Sequence, residues 1–271
     1  MEKINLLTAN EFGETPSTMS DSGRRIEYLS RPTPVNMGDW WFDLACSNHF
    51  WIRRRFDVMK KLADPMIRRA KRVAEVGCGH GLLQKGLEEY YGIPVAGFEL
   101  NDLALKKNIS RCSPLCCYDI HDRLPRFCAH FDLILLFDVL EHIEDESSFL
   151  QSVRFHLADS GVLLVNVPAI ERFRSDYDRC AGHVRRYSAS QLKRVLERNG
   201  FRIESYSYWG LPLVPLLLAR KAIHLRNGDG SSGFDPKWAP INKFLGILSR
   251  MEPLPQHLLG TSVMIVAEKQ S

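Results

Sequence analysis

Hydrophobic and polar positions along this chain alternate between short apolar runs and amphipathic stretches. Val73–Val76 is a short apolar run entering a glycine turn, and Leu82–Tyr91 follows with Leu82, Leu83 and Leu87 on one helical face. Pro94–Glu99, Leu115–Tyr118, Phe131–Phe137, Gly161–Val167, Phe201–Tyr208 and Ser262–Ala267 read as six further strands. Phe131–Phe137 is almost wholly apolar, as suits a parallel strand covered on both faces. A helix is predicted from His49 to about Arg69, capped by Asn48 and striped by Phe50, Phe56, Met59, Leu62 and Met66. Others span Glu144–Leu157 and Ile241–Met251. A third, carrying Leu192, Val195 and Leu196, is capped by Ser188 or Ser190 and ended at Gly200. Strands alternating with helices at this rhythm predict an α/β protein with a doubly wound, mostly parallel sheet of seven strands.

Residues 1–48 form an N-terminal arm, polar to Asn36 and then aromatic at Gly38–Phe42; residues 49–271 form the main domain. Within it lies a helical insert, residues 209–260. Its apolar start, residues 209–220, is too short to span a bilayer and suits a lid, a ledge for a lipid or peripheral membrane contact, a subunit interface or plain packing. Asn227–Gly233 reads as a flexible loop. The sequence leaves the oligomeric state open.

Composition adds limits. The chain has 271 residues, 45% hydrophobic and 25% charged, which is ample for one core. Its net charge of +4 is too weak to argue for nucleic acid. The Arg53-Arg54-Arg55 cluster reads as a solvated helix face. No secretory leader follows Met1, and the seven cysteines form no disulfide framework, so a reducing, cytoplasmic setting is expected. Cys112, Cys116, Cys117, Cys128, His121 and His130 gather in one stretch. They lack a paired C-x-x-C, and one strand aims Cys116 and Cys117 to opposite faces, so no metal is predicted.

The chemistry begins at Glu75-Val76-Gly77-Cys78-Gly79-His80-Gly81. Alternate glycines let the backbone turn sharply and leave no Cβ between it and a ligand. The third glycine comes one residue too early for a dinucleotide fingerprint, and no Lys-Ser or Lys-Thr follows to make a P-loop. Glu99 ends the next strand about twenty residues on, where a carboxylate meets ribose hydroxyls.

Glu75 followed by G-x-G-x-G resembles motif I of the class I S-adenosylmethionine (SAM) methyltransferases. Asp138-Val139-Leu140-Glu141-His142-Ile143 resembles that family's motif after the fourth strand, and Gly182-His183-Val184-Arg185-Arg186-Tyr187-Ser188 resembles a loop in one broad group of its members. The resemblance implies a Rossmann-like fold with an antiparallel last strand, and SAM as cofactor. It places Glu75, Gly77, Cys78, Gly79, Gly81, Glu99, Leu100, Asp119, Ile120 and Asp138 around that cofactor, with Asp119 on the adenine amino group, Ile120 on the ring and Asp122 as the second candidate. A small-molecule, lipid-linked or sugar acceptor follows, with oxygen as the expected methylated atom.

On the acceptor side, His183 or His142 serves as base or acceptor orienter, with Tyr187 and Arg186 as helpers; Arg185 and Tyr187 equally suit a purely structural tie. Asp138, Glu141 and Asp145 mimic a metal cluster, yet Glu141 and Asp145 also suit a helix N-terminus. Two other functions compete: a non-catalytic SAM-binding scaffold and a nicotinamide-dependent oxidoreductase.

Overall fold

The strand at Phe131–Phe137 shows why its sequence is continuously apolar. Ile134 and Leu136 pack into one buried cluster, and Leu133, Leu135 and Phe137 into another on the opposite face of the sheet. A computed structural model describes residues 18–33, 48–219 and 239–270. Its strands are β1 (Ile26–Tyr28), β2 (Val73–Val76), β3 (Ala96–Glu99), β4 (Leu115–Cys117), β5 (Phe131–Phe137), β6 (Leu157–Pro168), β7 (Phe201–Trp209) and β8 (Ser262–Lys269). They form one sheet in the order β1-β4-β3-β2-β5-β6-β8-β7. Pairs from β1 through β6 run parallel, and β8 runs antiparallel between β6 and β7.

The helices include α1 (Phe50–Arg69), α2 (Leu82–Tyr91), α3 (Asp102–Lys106), α4 (Glu146–His156), α5 (Asp176–Cys180), α6 (Ala189–Arg198) and α7 (Ala239–Ser249). One face of the sheet is covered by Phe149, Leu150 and Val153 of α4 with Leu192 and Leu196 of α6. The other is covered by Val58, Met59, Ala63 and Ile67 of α1 with Leu83 and Leu87 of α2. Each helix presents its apolar stripe inward, the arrangement that a doubly wound sheet requires.

Three expectations need correction. Among the described residues the sheet has eight strands, not seven, because the stretch read as an N-terminal arm contains β1. Ile26 pairs with Leu115 and Tyr28 with Cys117, and three residues are too few to register as a period. The cap of α1 is His49, whose Nδ1 accepts from the Trp51 N–H at 3.2 Å; Asn48 instead accepts from Arg53. The arginine cluster is not one solvated face. Arg53 is exposed, but Arg54 and Arg55 are buried and paired with Glu252 and Asp138, partners 198 and 83 residues away.

The insert is stitched to α1. Glu252 accepts from Arg54 at 3.1 Å and from the amides of Gly210 and Leu211 at 2.8 and 2.9 Å. Asn242 accepts from the Phe50 N–H at 2.8 Å, and Trp51 packs on Trp209 with ring centroids 4.3 Å apart. No described helix is long and apolar enough to cross a membrane. The aromatic cluster at Gly38–Phe42 and the loop at Asn227–Gly233 lie outside the described residues.

Candidate active site

A cavity of about 630 Å³ opens along the carboxyl ends of β2, β3, β4 and β5, where open α/β sheets hold their ligands. Of the ten residues expected around a cofactor, nine line it: Glu75, Gly77, Cys78, Gly79, Glu99, Leu100, Asp119, Ile120 and Asp138. Gly81 does not. It sits behind the cavity at the start of α2, with φ +82°, where an added Cβ would stand 2.5 Å from Asn108.

The glycine turn works by what it leaves out. At Gly77, φ is +72° and a Cβ would come within 2.5 Å of the Val139 side chain. At Gly79, φ is +53° and the space where a Cβ would point is open for 4 Å. That bare peptide faces the cavity, as a nucleotide-like ligand requires.

Glu99 is fixed beside the turn. One oxygen accepts from the Gly79 N–H at 2.9 Å, and the other accepts from the amides of Leu100 and Asn101, both at 2.9 Å. Each oxygen keeps lone-pair capacity for a ribose hydroxyl. Burial raises the Glu99 pKa, and the three amides oppose that shift. Asp119 accepts from the His121 N–H at 2.9 Å and lines the cavity at the end of β4, next to buried Ile120. Glu75 is buried with one oxygen unpartnered, and burial pushes its pKa up to about 8. Asp138 has φ +58°; it pairs with Arg55 and accepts from Asn166 at 2.7 Å. Asn166 in turn accepts from the Trp209 indole N–H at 2.8 Å.

The opposite end of the cavity is assembled from side chains. His142 and His183 meet edge to face with ring centroids 4.9 Å apart. The Nδ1–H of His183 donates to Asp178 at 2.8 Å, which leaves its Nε2 as the free lone pair. Asp178 is fully buried and also receives both ends of the Arg186 guanidinium at 2.8 and 3.0 Å. Hydrogen bonds from His183 and Arg186 hold the Asp178 carboxyl well below the usual range. His142 donates through Nδ1 to the Gly182 carbonyl at 3.2 Å, and burial lowers its pKa.

The expected helpers separate. Arg186 lines the cavity but is spent on Asp178 and the Ala169 carbonyl. Tyr187 is buried outside the lining; its hydroxyl donates to Glu146 and the Leu140 carbonyl. Asp145 does cap α4, accepting from the Ser148 N–H at 3.0 Å. Glu141 does not cap a helix. It lies fully buried in the turn Leu140–His142 and lines the cavity.

The sequence reading missed the placement of three residues in or behind this cavity. Arg55 looked like surface charge. Glu141 was read both as part of a metal-cluster mimic and as a helix-terminus residue, and its full burial went unforeseen. Asp178 carried no motif, although its place five residues before His183 was the signal available.

Comparison with known proteins fits this geometry. Residues 47–206 match the family model described as a methyltransferase domain. A Mycolicibacterium smegmatis protein named a probable S-adenosylmethionine-dependent methyltransferase is 28% identical over 164 residues, which cover 58% of this chain and 61% of that one. The chain thus spans about three-fifths of the length of that curated relative. Among solved structures, a SAM-dependent methyltransferase from Archaeoglobus fulgidus superposes with TM-score 0.51 at 18% identity, covering 80% of this chain and 94% of that one. Phosphoethanolamine N-methyltransferase 2 of Haemonchus contortus, solved with SAM, gives 0.54 at 15% identity, covering 83% and 56%. These two share the fold. The family-model match covers more than half of the sequence, and the chain belongs to the methyltransferase-domain family, the class I SAM-dependent methyltransferases.

Proposed function

We propose that this chain methylates a hydroxyl on a small, lipid-linked or sugar-linked acceptor with an apolar body, using SAM. One observation carries the reading. A single cavity has a bare-peptide cradle with the Glu99 and Asp119 carboxylates at one end, and two histidines with an aspartate behind them at the other.

Glu99 would hold the ribose, Asp119 and Ile120 the adenine, and the Gly77–Gly79 peptide the amino-acid portion. When bound, SAM supplies the activated methyl group. The chain's own residues do the rest. His142 and His183 receive the acceptor hydroxyl and its proton, while Asp178 fixes the tautomer and angle of His183. Positioning supplies most of the acceleration. Ile52, Trp51, Leu213, Leu216, Leu217 and Leu245 line the same cavity, so the acceptor's body meets an apolar wall.

Calorimetry with SAM and its demethylated product tests the cofactor. We expect one site per chain, and no binding would end the methyltransferase reading. Methyl transfer to a panel of phenols, prenylated phenols, glycolipids and free sugars then tests the acceptor. Turnover confined to free sugars would remove the apolar-body assignment.

A further inference from the structure

We propose that Glu141, His142 and His183 together bind one divalent first-row transition ion at the acceptor end of the cavity. One donor atom from each lies within 4.8 Å of the other two. Nε2 of His183 stands 4.0 Å from Oε1 of Glu141.

Every donor is what remains after the fold has used the rest of its side chain. His183 spends Nδ1 on Asp178 and keeps Nε2. His142 spends Nδ1 on the Gly182 carbonyl, and its Nε2 is buried with no partner. Glu141 is fully buried, and neither of its oxygens has a hydrogen-bond partner. An unpaired buried carboxylate is costly, so it stays protonated or meets a cation. Carboxylate and imidazole donors must shed their protons to ligate, so an ion competes with protons for these three atoms.

The second layer fits as well. A histidine that ligates a metal almost always donates its other N–H to a carboxylate or a carbonyl. Here His183 donates to Asp178 and His142 to Gly182. Two imidazoles and one carboxylate favour a transition ion over magnesium or calcium. Three protein ligands leave an open position, as in catalytic zinc sites. Donors around one ion at about 2.0–2.2 Å stand roughly 3–4 Å apart, so binding draws this trio slightly inward. The role, though not the binding, rests on the methyl-transfer reading: with the ion bound, His142 and His183 hold it instead of taking the proton themselves, and an acceptor hydroxyl at the open position would lose its proton to solvent near neutral pH.

The test uses the full chain stripped with chelator. Zinc is titrated by calorimetry and cobalt(II) by absorption, in the wild type, Glu141→Gln and His183→Ala. We expect one ion per chain, affinity at least 100-fold weaker in both variants, and affinity that climbs with pH. Cobalt should show d–d bands without a thiolate charge-transfer band, which separates this site from the free cysteines. Glu141→Gln is nearly isosteric, so its fold is retained, and SAM binding checks both variants. No binding at one to one, equal affinity in Glu141→Gln, or a thiolate band would overturn the site. A chain that takes SAM but no metal overturns the site alone. One that takes metal in this pattern but no SAM upholds the site and removes the methyltransferase reading.

Discussion

The two ends of the cavity are built by different means. The cofactor end is made mainly of backbone: two glycine peptides, the amides of Gly79, Leu100 and Asn101, and one carboxylate that ties them together. The proposed acceptor end is made of side chains from the turn after β5 and the segment between β6 and α6, held by a buried Asp178–Arg186 pair. A backbone site tolerates little variation in a few contiguous residues. A side-chain site can be retuned by single replacements, which suits a family that shares one cofactor.

Three substitutions probe that contrast. The largest effect is expected from Asp178→Ala, which strands a buried guanidinium and frees His183. Breaking such a pair from one side costs about 3–5 kcal/mol, so urea unfolding should show a loss of that order with SAM affinity retained in the folded fraction. A loss below about 1 kcal/mol would mean the acceptor end is not held through Asp178.

Next is Glu99→Ala. Hydrogen bonds to a charged group are worth about 1.5–3 kcal/mol each, so losing the ribose contacts should weaken SAM roughly 100-fold by calorimetry, with zinc binding unchanged. Wild-type SAM affinity in that variant would remove the ribose assignment.

The smallest is Glu75→Gln, read as a pH slope. The Glu75 carboxyl sits at about 8 in the folded chain and at about 4.3 when unfolded. Folding therefore takes up a proton between those values. The carboxyl costs nothing below about pH 4.3, and its cost grows as pH rises through 8. Relative to Glu75→Gln, the wild type should lose about 1.4 kcal/mol between pH 6 and pH 7. Parallel stability profiles would show that Arg55 neutralises Glu75 more fully than its burial allows.

The same contrast explains what was legible in the sequence. Strand β5 and helix α2 match their predicted bounds because each carries a strong local period. The glycine turn and Glu99 could be read because their spacing is fixed by one strand and one turn. Glu141 could not, since its burial depends on a chain reversal some forty residues later that brings His183 against it. Arg54 and Arg55 failed for the same reason: nothing local marks an arginine whose carboxylate lies on another element.

The short strand β1 has an effect out of proportion to its length. It shields β4, whose Cys116 and Cys117 are now wholly covered, and its Tyr28 hydroxyl and the nearby Ser30 brace Asp102 and the Asp119 amide. Trimming the N-terminus back to Phe50, a tempting choice when shortening the chain for crystallisation, would bare two adjacent thiols along an unpaired ladder. Such a truncate invites oxidation and edge-to-edge clumping, and it removes the Ser30 hydroxyl that holds the Asp119 amide.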